Sequence, residues 1–322
     1  MAQRRSWSIP ELAAGVRAGE KRALARALSV VEHGQADAET LVRDLYPDTG
    51  RAYTIGVTGP PGVGKSTLIG ALVRHVRELG SSVGVISVDP SSPFSKGALL
   101  GDRIRLSEHF LDPDVFIRSM GTRGHAGGLA EATLQAQLVL DAAGRELIFI
   151  ETAGVGQSEV AVAQVADTVV LVLMPGSGDS VQALKAGIME IPDVIAINKS
   201  DHAGARATLA ELKQALSLGE EARTPPVVST EATRGENIEA LWQAIADHRR
   251  RLESGGELEK RRRERLISEV LALASGRARN EIERAVADDP ELQSLLSAVA
   301  ERRLDPLSAV RKVGERVRGS AR

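Results

Sequence analysis

The sequence predicts an α/β fold: a mostly parallel sheet flanked by helices, with helical extensions at both ends. Three observations predict it. Short β-branched runs at 53–58, 82–88, 147–150, 168–173 and 194–197 alternate with helical stretches at 67–79, 129–142, 181–190 and 205–216. Strand–helix alternation of this kind is the mark of parallel strands joined by crossover helices. A glycine-rich turn separates the first strand from the first of these helices, and no strand-like run follows Trp242.

Taken in order, residues 1–50 form an N-terminal helical extension. Two short helices are expected within 9–46, where Leu24, Leu28 and Val31 recur at helical spacing and Arg22, Arg26 and Glu32 fill other faces. Residues 51–250 hold every strand and form the central domain. Residues 251–322 form a C-terminal helical arm, with Leu266, Val270 and Leu273 on one stripe. The basic run Lys260, Arg261, Arg262 and Arg263 is interleaved with Glu257, Glu259, Glu264 and Glu269. It therefore reads as a solvated or partner-facing helix rather than a nucleic-acid patch.

Composition narrows the function classes. The formal net charge is −2 over 322 residues and aromatics make up 2%, which leaves neither the electrostatic footprint nor the stacking rings of a nucleic-acid binder. There is no cysteine, so disulfides, thiolate metal sites and a cysteine nucleophile are excluded. No signal peptide follows Arg4 and Arg5, and the most apolar stretch, 160–174, is broken by Gln164 and Asp167. A cytoplasmic protein without a membrane span is expected.

The turn after the first strand, Gly59-Pro60-Pro61-Gly62-Val63-Gly64-Lys65-Ser66, fits G-x-x-x-x-G-K-[ST] and runs through Thr67 into a helix. Glycines let successive N–H groups point inward at phosphate oxygens, and the helix N-terminus adds its positive end. Lys65 is expected to reach the β- and γ-phosphates and Ser66 to ligate Mg²⁺. The fold class becomes a P-loop NTPase sheet.

Asn198-Lys199-Ser200-Asp201 follows the run 194–197. The Asp201 carboxylate can accept from N1–H and N2–H₂ of guanine, a donor pair that adenine lacks. Asn198 is expected to contact the base edge and tie this loop to the phosphate loop. The Lys199 stem can lie along the base plane. Ser229-Thr230-Glu231, after Pro226-Val227-Val228, is the natural last loop beside the base. The expected ligand is GTP or GDP.

Glu151 ends the run 147–150 and Gly154 falls three residues later, the spacing at which an acid holds Mg²⁺ and a glycine N–H meets the γ-phosphate. Asp89 closes the second strand ahead of Pro90 and is a candidate metal or water-positioning ligand. Asp102 lies beyond a segment containing Gly and Ser. Where many GTPases carry a water-orienting glutamine directly after the glycine, this chain has Val155, with Gln157 two residues on. Slow intrinsic hydrolysis, accelerated by a partner, is expected.

Together these stretches resemble the MeaB/ArgK-type GTPases, the family of the human methylmalonic aciduria type A protein. The resemblance rests on Val88-Asp89-Pro90-Ser91-Ser92 with Leu99-Leu100-Gly101-Asp102-Arg103, on Thr122-Arg123-Gly124-His125 with Gly127-Gly128, and on Pro175-Gly176-Ser177-Gly178-Asp179. The most specific stretch is Glu151-Thr152-Ala153-Gly154-Val155-Gly156-Gln157-Ser158-Glu159. Ser95-Lys96, Ala153 and Ser180 depart from the family's usual residues. The resemblance implies a Mg²⁺-dependent GTPase whose nucleotide state gates adenosylcobalamin delivery to an acyl-CoA mutase and protects that mutase. It further implies a homodimer built partly through the C-terminal helices. On the same resemblance Lys65, Ser66, Asp89, Asp102 and Glu151 belong to the phosphate and metal site, and residues 176–185 to a loop that signals to the mutase.

Two other readings use the same phosphate loop. A kinase linked to amino-acid transport would need an acceptor site and would not need Asn198 to Asp201. A metal-insertion GTPase would need ligands, and His33, His75, His109, His125, His202 and His248 show no ligand-like spacing.

Overall fold

The computed structural model describes residues 7–33, 37–89, 106–121, 128–152, 165–176, 192–216 and 224–320, without the side chains of 89, 128–130 and 318–320. Seven strands form one parallel sheet: β1 (Tyr53–Thr58), β2 (Val83–Asp89), β3 (Val115–Gly121), β4 (Leu147–Thr152), β5 (Thr168–Leu173), β6 (Val194–Ile197) and β7 (Val227–Ser229). Their order is β3-β2-β4-β1-β5-β6-β7. Every residue of β1, β4, β5 and β6 is buried. Such near-continuous apolar runs belong to strands covered on both faces.

The covering helices sort by face. On one side α1 (Ile9–Arg17), α2 (Lys21–Glu32), α3 (Ala38–Leu45) and α5 (Gly128–Ala142) pack over Ile86, Ile148, Ile150 and Val169. On the other, α4 (Lys65–Glu78) and α7 (Ile238–Ser254) pack over Ile55, Val57, Phe149 and Val172. Leu212 and Leu216 of α6 (Ala205–Leu216) cover Leu171, Leu173, Ile195 and Ile197.

Three differences from the sequence expectations have physical causes. The N-terminal extension holds three helices rather than two, because Gly19 turns the chain at φ 70° between α1 and α2. Strand β3 was not expected, since Arg118 interrupts its apolar pattern; that guanidinium is paired with Glu32 and donates to Ser29 Oγ at 3.2 Å on α2. The basic run is only partly solvated, because Arg262 turns inward onto Asp167. The helix expected at 181–190 lies outside the described residues.

That inward turn belongs to a polar cluster at the amino edge of the sheet. Asp167, one residue before β5, pairs with Arg262 at 2.7 Å and Arg265 at 2.6 Å on α8 (Glu257–Asp288). It also accepts the Thr54 amide at 2.9 Å. Burial pushes the Asp167 carboxyl up, but the two guanidiniums and the amide outweigh it and hold it below the usual carboxylate range. Asp193, one residue before β6, pairs with His248 Nε2 at 3.1 Å and accepts the Val169 amide at 2.9 Å. Its carboxyl is likewise held low, with burial opposed by His248, Val169 and Arg261. His248 Nδ1 meets Thr168 Oγ1 at 2.7 Å, and Thr168 meets the Tyr53 hydroxyl at 2.5 Å. Burial above all pushes that phenol up to about 12.

The chain divides into two compact units, Met1–Arg265 and Leu266–Arg322. The second holds the rest of α8 with α9 (Pro290–Ala300) and α10 (Pro306–Ser320). Asp289 caps α9 through the Glu291 amide at 2.8 Å and takes Arg316 of α10 at 2.8 Å. Leu266, Ile267, Val270 and Leu271 on α8 are exposed.

Candidate nucleotide site

The carboxyl ends of β1, β4, β5 and β6 converge where open α/β sheets place their ligands. β1 runs into the glycine loop, whose Gly59, Gly62 and Gly64 take φ of 138°, 79° and 94°. Two of these positions also lack room for a side chain. A Cβ on Gly59 would run into the Val172 carbonyl of β5, and one on Gly64 would lie 2.5 Å from Asn198 Nδ2. Helix α4 then starts at Lys65 with no side chain capping Gly64. The first amides of that helix, Lys65, Ser66 and Thr67, have no intrahelical acceptor, and the loop is shaped to aim them at an anion.

Lys65 is buried, and its Nζ donates back to Gly59 O at 2.8 Å and Pro60 O at 3.0 Å. The ammonium is thus held over its own loop by neutral carbonyls, which a phosphate oxygen can outcompete because charge-assisted bonds are the stronger. Ser66, one residue along α4, donates to Glu151 Oε1 at 2.7 Å. The other carboxylate oxygen, Oε2, accepts from Ser87 of β2 at 3.3 Å. Mg²⁺ takes oxygen ligands and keeps several waters; a serine hydroxyl and a carboxylate in contact beside a phosphate loop fit it.

The second half of the site hangs on Asn198. Its backbone N–H continues the ladder to Leu173 O at 2.8 Å. Its side-chain Nδ2 donates to Val63 O of the phosphate loop at 2.9 Å, while Oδ1 accepts from the Ala232 amide at 3.1 Å and Thr230 Oγ1 at 3.3 Å. One buried amide therefore ties three loops together. Lys199 takes φ 57° and extends to Gly62 O at 2.8 Å, with Met174 Sδ at 3.7 Å. Asp201 is exposed beyond this frame. Thr230 is fully buried and bonds β6 through Ile197 O at 2.8 Å, and its carbonyl accepts the Ser200 amide at 3.0 Å. Ser229 O accepts from Asn237 at 2.9 Å, and Glu231 pairs with Arg234 at 3.1 Å.

The structure thus brings together residues 59–67, Glu151, Asn198, Lys199 and the 229–231 loop. Asp89 ends β2 in register with Gly121, its side chain outside the described residues. Asp102, Gly154, Val155, Gln157 and 177–185 also lie outside them. Sequence reasoning missed Ser87, Met174 and Ala232. Only Ser87 left a signal: a hydroxyl in an apolar strand, two residues before Asp89.

The sequence model of the family described as methylmalonyl Co-A mutase-associated GTPase MeaB matches residues 24–287. A Pyrococcus abyssi protein assigned to the GTPases is 48% identical over 306 residues, 94% of each chain. The mouse mitochondrial methylmalonic aciduria type A homolog is 35% identical over 274 residues, covering 79% of this chain and 66% of that one. Among solved structures, that of a LAO/AO transport system kinase superposes with a TM-score of 0.74 at 26% identity, covering 98% of this chain and 100% of the other.

Proposed function

The chain belongs to the MeaB family of methylmalonyl-CoA mutase-associated GTPases, and from that membership we propose that it is a GTP-hydrolysing chaperone of an adenosylcobalamin-dependent acyl-CoA mutase. In this reading it gates cofactor loading and protects the mutase. The family name and the mouse relative's name support the partner. The observation that carries the nucleotide part is the Asn198 side chain bridging the phosphate loop and the last loop.

The backbone N–H groups of 62–67 wrap the β- and γ-phosphates, and Lys65 trades its loop carbonyls for their oxygens. Ser66, Glu151, Asp89 and Asp102 are the residues that would hold Mg²⁺, which would supply positive charge beside the β- and γ-phosphates. Gly154 offers its N–H to the γ-phosphate. Asp201 selects guanine, with Lys199 and residues 229–231 closing around the base. Val155 leaves the attacking water without a neighbouring glutamine, so hydrolysis is slow until the mutase completes the site.

The division into a helical extension at 1–50, a GTPase domain at 51–250 and a dimerisation arm at 251–322 belongs to the same proposal. The exposed apolar residues of α8 support a homodimer. Among the described residues no helix is long and apolar enough to cross a membrane. A cytoplasmic location and action without membrane or nucleic acid belong to the same proposal.

Calorimetry with magnesium is expected to show GTP and GDP binding well ahead of ATP, and Asp201→Asn to weaken GTP and favour xanthine nucleotide. Equal affinity for adenosine nucleotide would remove the guanine assignment. Capture of a mutase should depend on whether GDP or a non-hydrolysable GTP analogue is bound. Labelled γ-phosphate recovered on protein instead of as free phosphate would favour a kinase.

A further inference from the structure

Among the described residues, the face of the sheet under α4 carries a polar row across β3, β2 and β4. Ser119, Ser87 and Glu151 are register partners across β3, β2 and β4. All three are buried. One pleat below, the register partners are Ile117, Val85 and Phe149, the apolar filling of the same three strands. Strand formation therefore does not call for the row, and a buried hydroxyl without a partner costs about 1–3 kcal/mol. Ser87 meets that cost by donating to Glu151 Oε2 at 3.3 Å. Ser119 does not: among the described residues its Oγ is buried without a hydrogen-bond partner.

The acid of the row is a glutamate. A glutamate has one more side-chain torsion than an aspartate, so its carboxylate must lose more freedom to face a fixed point. Ser66 restrains one oxygen at 2.7 Å and Ser87 the other. Two contacts from different elements, α4 and β2, fix both the reach and the roll of the carboxylate.

We propose that Ser87 is a positioning residue for the metal edge of the site, holding the Glu151 carboxylate by Oε2 so that Oε1 stays turned to Ser66, with Ser119 as the next donor in the row. Strands lie about 4.8 Å apart, so the Ser119 hydroxyl can reach Ser87 Oγ directly or through one water. Donation there strengthens the bond that Ser87 makes to Glu151. The metal feels both serines only through Glu151, as outer partners of metal ligands commonly act. The inference rests on the reading of Ser66 and Glu151 as a Mg²⁺ site.

The test uses the full chain with a fluorescent GDP analogue and follows its release as free Mg²⁺ is varied. In Ser87→Ala, the Mg²⁺ concentration that half-maximally slows release should rise about tenfold. Release in excess chelator and the thermal midpoint of the nucleotide-free protein should stay as in the parent. Ser87→Thr keeps the hydroxyl and suits a strand, so it should restore most of the Mg²⁺ response. Ser119→Ala should shift the midpoint in the same direction and by less. A Mg²⁺ midpoint unmoved in Ser87→Ala, in a protein whose parent responds to Mg²⁺, overturns the positioning role alone. A parent indifferent to Mg²⁺ overturns the metal reading and this inference with it. A loss in Ser87→Ala that is equal with and without Mg²⁺, and that Ser87→Thr does not repair, marks a packing defect and also overturns the role.

Discussion

At the amino edge of the sheet, Asp167 and Asp193 meet Arg262, Arg265 and His248. At the carboxyl edge of the same sheet, Glu151 meets two serine hydroxyls. The near cation there, Lys65, donates to the Gly59 and Pro60 carbonyls. Both edges bury charge, which is costly unless paired. The amino edge sets Asp167 against two guanidiniums and Asp193 against the His248 ring, all of them part of the fold. At the carboxyl edge the acid accepts from two serine hydroxyls and the ammonium donates to two carbonyls, dipoles that hold a charge less strongly than an opposite charge does. A nucleotide phosphate and a divalent ion are charges that can exchange for those dipoles. Burial alone does not separate a structural ion cluster from a binding site. What separates them here is that guanidiniums built into the fold hold Asp167, while Glu151 and Lys65 also rest on hydroxyls and carbonyls that a ligand can displace.

The sharpest way to break this comparison is at Asp167. Asp167→Ala leaves two half-buried guanidiniums facing each other at the foot of β5, and removal of one partner of a buried pair costs about 3–5 kcal/mol. Denaturant unfolding should show that loss, with GTP affinity of the folded protein unchanged. A loss of under about 1 kcal/mol would place the cluster with exposed ion pairs and remove the contrast. At the other edge the pattern should invert. Lys65→Ala should weaken GTP by about ten- to a hundredfold, the worth of roughly 1.5–3 kcal/mol for a bond to a charged group. The ligand-free protein should unfold at nearly the parent's denaturant midpoint. If Lys65→Ala destabilises the free protein as much as it weakens GTP, the lysine is a structural group.

The two edges also differ in how far they were legible in the sequence. The phosphate loop and Asn198 could be read because their chemistry is local: glycines at fixed offsets, then a lysine and a serine at a helix start. The strand runs 53–58, 168–173 and 194–197 matched β1, β5 and β6 because parallel strands buried on both faces have to be continuously apolar. β3 was hidden because Arg118, polar in the sequence, is answered by Glu32, 86 residues away. The foot clusters were hidden for the same reason. Asp167 looked like an interruption of an apolar stretch, and Arg262 like one charge in a solvated run. Their partnership spans 95 residues and leaves no periodicity to find. Ser87 lay between these cases, visible as an oddity in a strand but without a meaning until Glu151 was placed beside it.

The smallest expected effect concerns pH, and it tests whether the amino edge is as self-contained as its geometry implies. Asp167 and Asp193 both have carboxyls held below the ordinary range in the folded protein. A depressed carboxylate binds fewer protons folded than unfolded, so its stabilisation is complete above the unfolded value near 3.9 and is lost as pH falls through the folded value. The share of stability that these two carboxylates supply should therefore be lost only below about pH 4, and Asp167→Asn should flatten that limb of the stability profile. Between pH 5 and 8 neither aspartate changes charge, and the Asp167→Asn and parent stability curves should run parallel there. Curves that converge within that window would mean that a group in contact with Asp167 titrates near neutrality. The foot of the sheet would then lack a fixed charge balance, and the distinction from the exchangeable edge would fail.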